Sequence, residues 1–187
     1  MAQDSIFTQG AVIVPDFVTP AEEERLLLRI GQAPWMTELS RRVQHYGYRY
    51  DYRGASRPAP ATPFPRWAEV MADRLRDRFG GVLPAQCIVN EYRPGQGIGM
   101  HADHAQFGPV VASLSLAADW PMRFRPRSVR PYARDGLPGN EVAVLPRSSV
   151  LVLAGAARQD WMHGIDRADT AGQAATRLSA TFRTLER

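Results

Sequence analysis

The sequence predicts a mainly β domain in which two helices precede a run of short strands, an α+β arrangement. Three observations carry this expectation. Both segments with helical periodicity, Ala21–Gln32 and Trp67–Phe79, precede Ala85. From Ala85 onward the chain reads as short strands broken by Gly, Pro and Ser turns. Near the end, Arg177, Ser179, Thr181 and Arg183 alternate with Leu178, Ala180 and Phe182, the period of a half-buried strand with an arginine at each end of its polar face. With 187 residues and no internal repeat, 1–187 is expected to be a single domain.

Taken in order, Ala11–Phe17 is expected to be a first strand, built on Val12, Ile13 and Val14. Thr19-Pro20-Ala21-Glu22 is a capping box with proline at the first helical position, so a helix follows to Gln32 and buries Leu26, Leu27 and Ile30. Pro34-Trp35 ends it. The stretch 35–57 places Tyr46, Tyr48, Tyr50 and Tyr52 in strict alternation among Arg41, Arg42, Arg49, Arg53 and Arg57. These residue types stack bases and neutralise phosphates, so the stretch reads as a substrate-recognition lid; a solvated edge strand is the alternative. Arg57–Pro65 is proline-rich and expected to be an extended loop. Trp67, Val70, Met71, Leu75 and Phe79 then form the core face of a second helix, stopped by Gly80-Gly81. A second basic patch, Arg123, Arg125, Arg127, Arg130 and Arg134, is read either as a phosphate contact or as a plain surface loop.

Composition narrows the class. The hydrophobic fraction of 44% and charged fraction of 22% are those of a globular protein. A single cysteine, Cys87, permits no internal disulfide and no cysteine-rich metal site, which fits a cytoplasmic location. Met1–Gly10 lacks the basic start and apolar run of a signal peptide, and no stretch has the length of a membrane span. The net charge of +4 is carried by arginine, which favours an anionic partner such as nucleic acid, although arginine richness also has compositional causes.

The chemistry concentrates in four places. His101 and Asp103 are two apart, so on a strand they share a face, while His104 points away. His163, in Trp161-Met162-His163-Gly164-Ile165, supplies a third ligand from elsewhere in the chain. Two imidazoles and a carboxylate on one side of an ion leave the other side open, as in non-haem Fe(II) oxygenases. The same ligands suit Mn(II), or catalytic zinc with one open position, so the triad alone leaves the metal undecided. Arginine buried on the face of Arg177–Arg183 demands an anion, and a dicarboxylate such as 2-oxoglutarate supplies one; an edge strand with solvated arginines is the alternative. Upstream, Asn90 and Tyr92 share a face of the expected strand Gln86–Tyr92 and offer hydrogen bonds to carboxylate oxygens.

Together, Asn90-x-Tyr92, Arg93-Pro94-Gly95-Gln96-Gly97-Ile98, His101-x-Asp103, Ala112–Leu116, Leu145–Leu153, His163-Gly164-Ile165 and Arg177-x5-Arg183 occur in the order seen in AlkB-like Fe(II)/2-oxoglutarate-dependent dioxygenases. The resemblance runs from about Gly10 to Arg183. It implies a double-stranded β-helix, or jelly roll, over 86–183, with helices packed outside and the lid over 35–57. It makes His101, Asp103 and His163 the iron ligands, gives Arg177 and Tyr92 the distal carboxylate of 2-oxoglutarate, and gives Asn90 and Arg183 the metal-proximal end of that cosubstrate. The implied cofactors are Fe(II), 2-oxoglutarate and O2, with ascorbate as reductant in vitro. The stretch Arg41–Tyr50 is similar to the branch that hydroxylates a modified wobble uridine in tRNA, which makes Arg41, Arg42, Tyr46, Tyr48 and Tyr50 candidate substrate residues.

The repair branch of the family has a carboxylate two residues after the ligand aspartate, where this chain has Ala105, and often an asparagine where it has Ser179. The resemblance therefore implies hydroxylation or oxidative demethylation of a modified base in RNA or tRNA; a monomer with no membrane partner is expected. Alternatives are repair of alkylated DNA, the same oxidation of a protein side chain or small molecule, a non-catalytic jelly roll, and a zinc hydrolase.

Overall fold

The computed structural model describes residues 5–37, 40–49, 59–128 and 140–185. Within them, Thr19 caps a helix α1 (Pro20–Gln32): its hydroxyl accepts from the Glu22 N–H while the Glu22 carboxylate accepts from the Thr19 N–H. Such a cap stabilises a helix by about 1 kcal/mol. The preceding strand, β1 (Ala11–Val14), stops before the expected Phe17, because the chain turns at Pro15-Asp16 with Asp16 at φ 49°. Helix α2 (Arg66–Leu75) continues as a single 3₁₀ turn to Phe79, and Gly80 ends it at φ 63°, where only glycine is unstrained.

Short strands β2 (Arg42–Tyr46) and β3 (Tyr48–Arg49) lie within the 35–57 stretch, and β4 (Ala59–Pro60), just after it, pairs with β3. Eight further strands follow: β5 (Gln86–Tyr92), β6 (Ile98–His101), β7 (Phe107–Leu116), β8 (Trp120–Pro126), β9 (Glu141–Leu145), β10 (Val150–Leu153), β11 (Trp161–Ile165) and β12 (Arg177–Leu185). Short helices α3 (Gly155–Gln159) and α4 (Arg167–Thr170) lie beside β11 in the chain. One antiparallel sheet runs β1-β10-β7-β12-β5-β2 and a second runs β6-β11-β8-β9. The eight strands β5–β12 thus divide into two four-stranded halves, which is the double-stranded β-helix, extended on one sheet by β1 and β2.

The period of two sorts the cores. On one face of the larger sheet, Val89, Ala112, Leu114, Val152, Leu178, Ala180 and Phe182 pack against Leu26, Ile30, Met71 and Leu75 of the two helices. On its other face, Tyr92, Leu151 and Leu153 meet Trp120, Phe124, Trp161 and Ile165 of the smaller sheet. Cys87 belongs to the helix-side core and is fully buried, which raises its thiol pKa and makes it a packing residue. The expected half-buried strand at Arg177–Arg183 is instead buried on both faces, because its polar face lines the space between the sheets. Glu23 of α1, also buried, accepts from the guanidinium of Arg147 and from the Ala117 N–H at 2.8 Å, tying the helix to two turns of the roll.

Candidate metal and cosubstrate site

Strands β6 and β11 pair with His101 directly opposite His163, and the imidazole centroids lie 4.5 Å apart. Gly164 permits this closeness: a Cβ there would stand 2.9 Å from the Ile98 carbonyl oxygen and 3.0 Å from the Met100 nitrogen. The expected strand geometry for the first ligand pair is only half realised. β6 ends at His101, and Asp103 sits in the loop that follows. What aims Asp103 is Arg158 of α3, a buried arginine whose guanidinium donates to the carbonyls of Asp103 (3.0 Å) and His104 (2.9 Å). Sequence reasoning missed this brace, since an arginine near a helix end carries no signal of burial. His104 is exposed and is not part of the candidate ligand group.

Candidate ligand atoms of His101, Asp103 and His163 all lie within 4.8 Å of one another. The His101 Nδ1 stands 2.9 Å from the Gly99 carbonyl, to which it donates, so Nε2 is the ring nitrogen left for a metal. Asp103 divides its two oxygens. Oδ1 accepts from Nη2 (2.6 Å) and Nε (2.8 Å) of Arg183. Oδ2 is buried with no hydrogen-bond partner among the described residues, 3.7 Å from Nε2 of His163. A buried carboxylate oxygen without a partner, beside two imidazole nitrogens, is a divalent-cation position. Burial opposes ionisation of Asp103, but the cation of Arg183 overrides it and holds the carboxyl well below its ordinary range. Burial also pushes His163 down from 6.5 to about 4, against the pull of Asp103, so its ring is neutral and ready to ligate at physiological pH.

The same shift has a consequence for stability. His163 binds its proton more weakly folded than unfolded, so stability present above pH 6.5 is lost as the pH falls towards about 4. The melting temperature of the metal-free protein is expected to drop across that window, and to drop less in His163→Gln; equal acid sensitivity in both would contradict the assignment.

The cavity behind the metal position is lined by Asn90, Tyr92, Ser113, Arg177, Ser179, Thr181 and Arg183, with Ile98, Met122 and Leu151. Register builds it: Tyr92 pairs with Arg177, Asn90 with Ser179 and Ile88 with Thr181 across β5 and β12. Arg177 is 1% exposed. It donates to the Ser115 hydroxyl at 2.8 Å and lies 5.7 Å from the Tyr92 ring centre, while its Nε has no partner among the described residues. Burial lowers its pKa from 12.5 to about 10. A buried guanidinium without a counter-ion is a receptor for a carboxylate. The site therefore fits both groups: iron at His101, Asp103 and His163, and a dicarboxylate reaching from there to Arg177. Arg183, expected beside the cosubstrate, is engaged with Asp103 and, at 3.0 Å, with Gln86; it lines the cavity but serves first to orient the ligand.

The expected substrate residues separate. Strand alternation turns Arg42, Gln44 and Tyr46 away from the cavity, opposite Glu91, Val89 and Cys87. Tyr46 is a correction: it is 6% exposed, bonds to Gln44 at 3.0 Å and packs edge-on against Trp67 in the helix-side core, so it is a core residue rather than a substrate contact. Arg42 pairs with Glu91 and stacks on Trp35. Arg41 turns inward and donates to Asn90 Oδ1 at 2.8 Å. Tyr48 is half-buried on β3, and Tyr50 lies outside the described residues. In the second basic patch Arg123 is held by Asp169 at 2.6 and 2.8 Å, and Arg130 and Arg134 are outside the described residues.

The brace makes a further prediction. Arg158→Ala is expected to destabilise the fold by about 2–3 kcal/mol, the cost of leaving buried carbonyls unpaired, and to weaken Mn(II) binding about tenfold. Thermal melting and metal titration check both; unchanged metal affinity would separate Arg158 from the site.

Residues 20–183 match the family model described as the 2OG-Fe(II) oxygenase superfamily. The uncharacterized protein L905 of Acanthamoeba polyphaga mimivirus is 32% identical over 162 residues, covering 83% of this chain and 72% of that protein. The alkylated DNA repair protein ALKBH8 homolog of Arabidopsis thaliana is 34% identical over 83% of this chain, but the match spans 50% of that protein. The tRNA (carboxymethyluridine(34)-5-O)-methyltransferase alkbh8 of Xenopus tropicalis is also 34% identical, and there the match spans 25%. Among solved structures, OsALKBH1 superposes with a TM-score of 0.68 at 19% identity, over 94% of this chain and 98% of that one, a likeness of fold. The alpha-ketoglutarate-dependent dioxygenase alkB homolog 4 of Mus musculus is 30% identical over 94% of this chain and 67% of that protein. The chain belongs to the 2OG-Fe(II) oxygenase superfamily as an AlkB-like member, an oxidoreductase whose cofactors are Fe(II), 2-oxoglutarate and O2.

Proposed function

We propose that this chain oxidises a modified nucleobase in RNA, with tRNA as the first substrate class, leaving either a hydroxylated base or, where the carbon is a methyl on nitrogen, a demethylated one. The observation that carries the reading is Ala105. It is exposed, two residues beyond Asp103, in the loop held by Arg158, and it gives the substrate side no carboxylate with which to recognise the exocyclic amino group of an alkylated base. The names of two relatives point to the same alternatives, one to tRNA modification and one to repair of alkylated DNA.

Bound iron, with 2-oxoglutarate and O2, supplies oxidation of an unactivated C–H bond. The chain's own residues do the rest. Arg183 fixes one oxygen of Asp103 so that the other faces the metal position. Gly99 fixes the His101 tautomer. Arg177 anchors the far carboxylate of the cosubstrate, with Ser115 holding the guanidinium in place. The apolar side chains of Ile98, Met122 and Leu151 keep bulk water from the cavity.

The test is substrate-stimulated turnover. Succinate formation with Fe(II), ascorbate and 2-oxoglutarate is expected to rise on addition of undermodified tRNA and to stay at its basal rate with methylated single-stranded DNA. Stimulation by the DNA alone would establish the repair reading instead. No response to either would leave a protein side chain or small molecule as the substrate.

A further inference from the structure

We propose that Arg41 is a positioning residue for the cosubstrate, locking the side-chain amide of Asn90 so that its NH2 group serves the cavity. This rests on reading the Arg177 cavity as the 2-oxoglutarate site. Arg41 lies in the stretch whose arginines were expected to grip a nucleotide, yet its Nε donates to Asn90 Oδ1 at 2.8 Å. A guanidinium has donors only, so the amide atom it meets must be the oxygen. With that oxygen taken, Asn90 is left with two N–H donors for a ligand. Asn90 is 5% exposed and lines the cavity, so those donors suit a carboxylate.

A second contact joins Arg41 to the same strand face. Its guanidinium lies 5.7 Å from the ring centre of Tyr92, the distance at which Arg177 approaches that ring from β12. One side chain thus touches both Asn90 and Tyr92. Charge points the same way. The nearby carboxylate Glu91 is engaged by Arg42 and Arg93, and Asp103 is engaged by Arg183. These carboxylates are already engaged, and among the described residues none pairs with Arg41, which leaves its guanidinium to Asn90 and Tyr92.

The test is a double-mutant cycle read by calorimetric binding of 2-oxoglutarate to the Mn(II)-loaded protein without O2. Arg41→Met is expected to weaken binding about tenfold, the loss expected of one charge-assisted hydrogen bond. In an Asn90→Ala background the same substitution is expected to cost less than about twofold, because a residue acting through Asn90 has nothing left to position. In turnover, KM for 2-oxoglutarate rises while kcat is retained. Unchanged affinity in the single variant, or an equal loss in both backgrounds, overturns the proposal. If Arg41→Met does not fold, Arg41→Lys, which keeps the charge and displaces the donor, replaces it in the cycle. Arg177→Met is the control: if it leaves binding intact, the cavity itself has been misread and the proposal falls with it; if it abolishes binding while Arg41→Met does nothing, only the role of Arg41 fails.

Discussion

His101→Ala is expected to bring 2-oxoglutarate turnover to background and to weaken metal binding by more than the roughly 10–100-fold that follows from disturbing a residue behind a metal ligand. The physical reason is the small number of contacts. The site offers three candidate ligands and, among the described His, Cys, Asp and Glu residues, no fourth beside them. His104 cannot substitute, since it is exposed and its Nδ1 accepts from the Gln106 N–H at 3.2 Å. The fold should survive, because His101 is half-buried at the end of β6 and contributes little to either apolar core. Metal titration beside circular dichroism separates the two effects. Normal succinate formation in a folded His101→Ala variant would refute the ligand assignment.

Arg177→Met is the second large effect, and its sign differs between two measurements. Removing the buried cation is expected to weaken 2-oxoglutarate binding by about 30-fold to 1000-fold, the range for losing one partner of a buried charge pair. Stability of the cosubstrate-free protein should move the other way or not at all. Arg177 is fully buried, its Nε has no partner among the described residues, and burial holds its pKa down near 10. An apolar side chain of similar volume removes that desolvation cost. Stability should therefore hold or rise while binding collapses. A large loss of thermal stability in Arg177→Met would mean that the guanidinium is a structural strut instead.

Much of this was legible in the sequence because period and spacing are local. The alternation in β12 placed Arg177, Ser179, Thr181 and Arg183 on one face, and the register against β5 adds Tyr92 and Asn90 opposite them. The capping box located α1 within one residue. The His101-x-Asp103 pair was found for a reason that only partly holds, since Asp103 is in a loop aimed by Arg158 rather than on a strand. What the sequence hid is long-range. Nothing near Arg158 signals that it will reach carbonyls more than fifty residues away, and nothing near Arg183 signals that Asp103 will claim it. Tyr46 was misread for a related reason. A run of alternating tyrosines shows that one face differs from the other, but not which face meets the helices; the pairing of Tyr46 with Cys87 decides that.

The most direct measurement is nucleoside mass spectrometry after incubation with Fe(II), ascorbate and 2-oxoglutarate, with methylated single-stranded DNA and tRNA from a strain lacking the gene in one reaction. The expected result is a gain of one oxygen, or loss of a methyl group, on a tRNA nucleoside, with 1-methyladenine and 3-methylcytosine in the DNA untouched. Loss of those two lesions with the tRNA unchanged would contradict the account and place the enzyme in DNA repair.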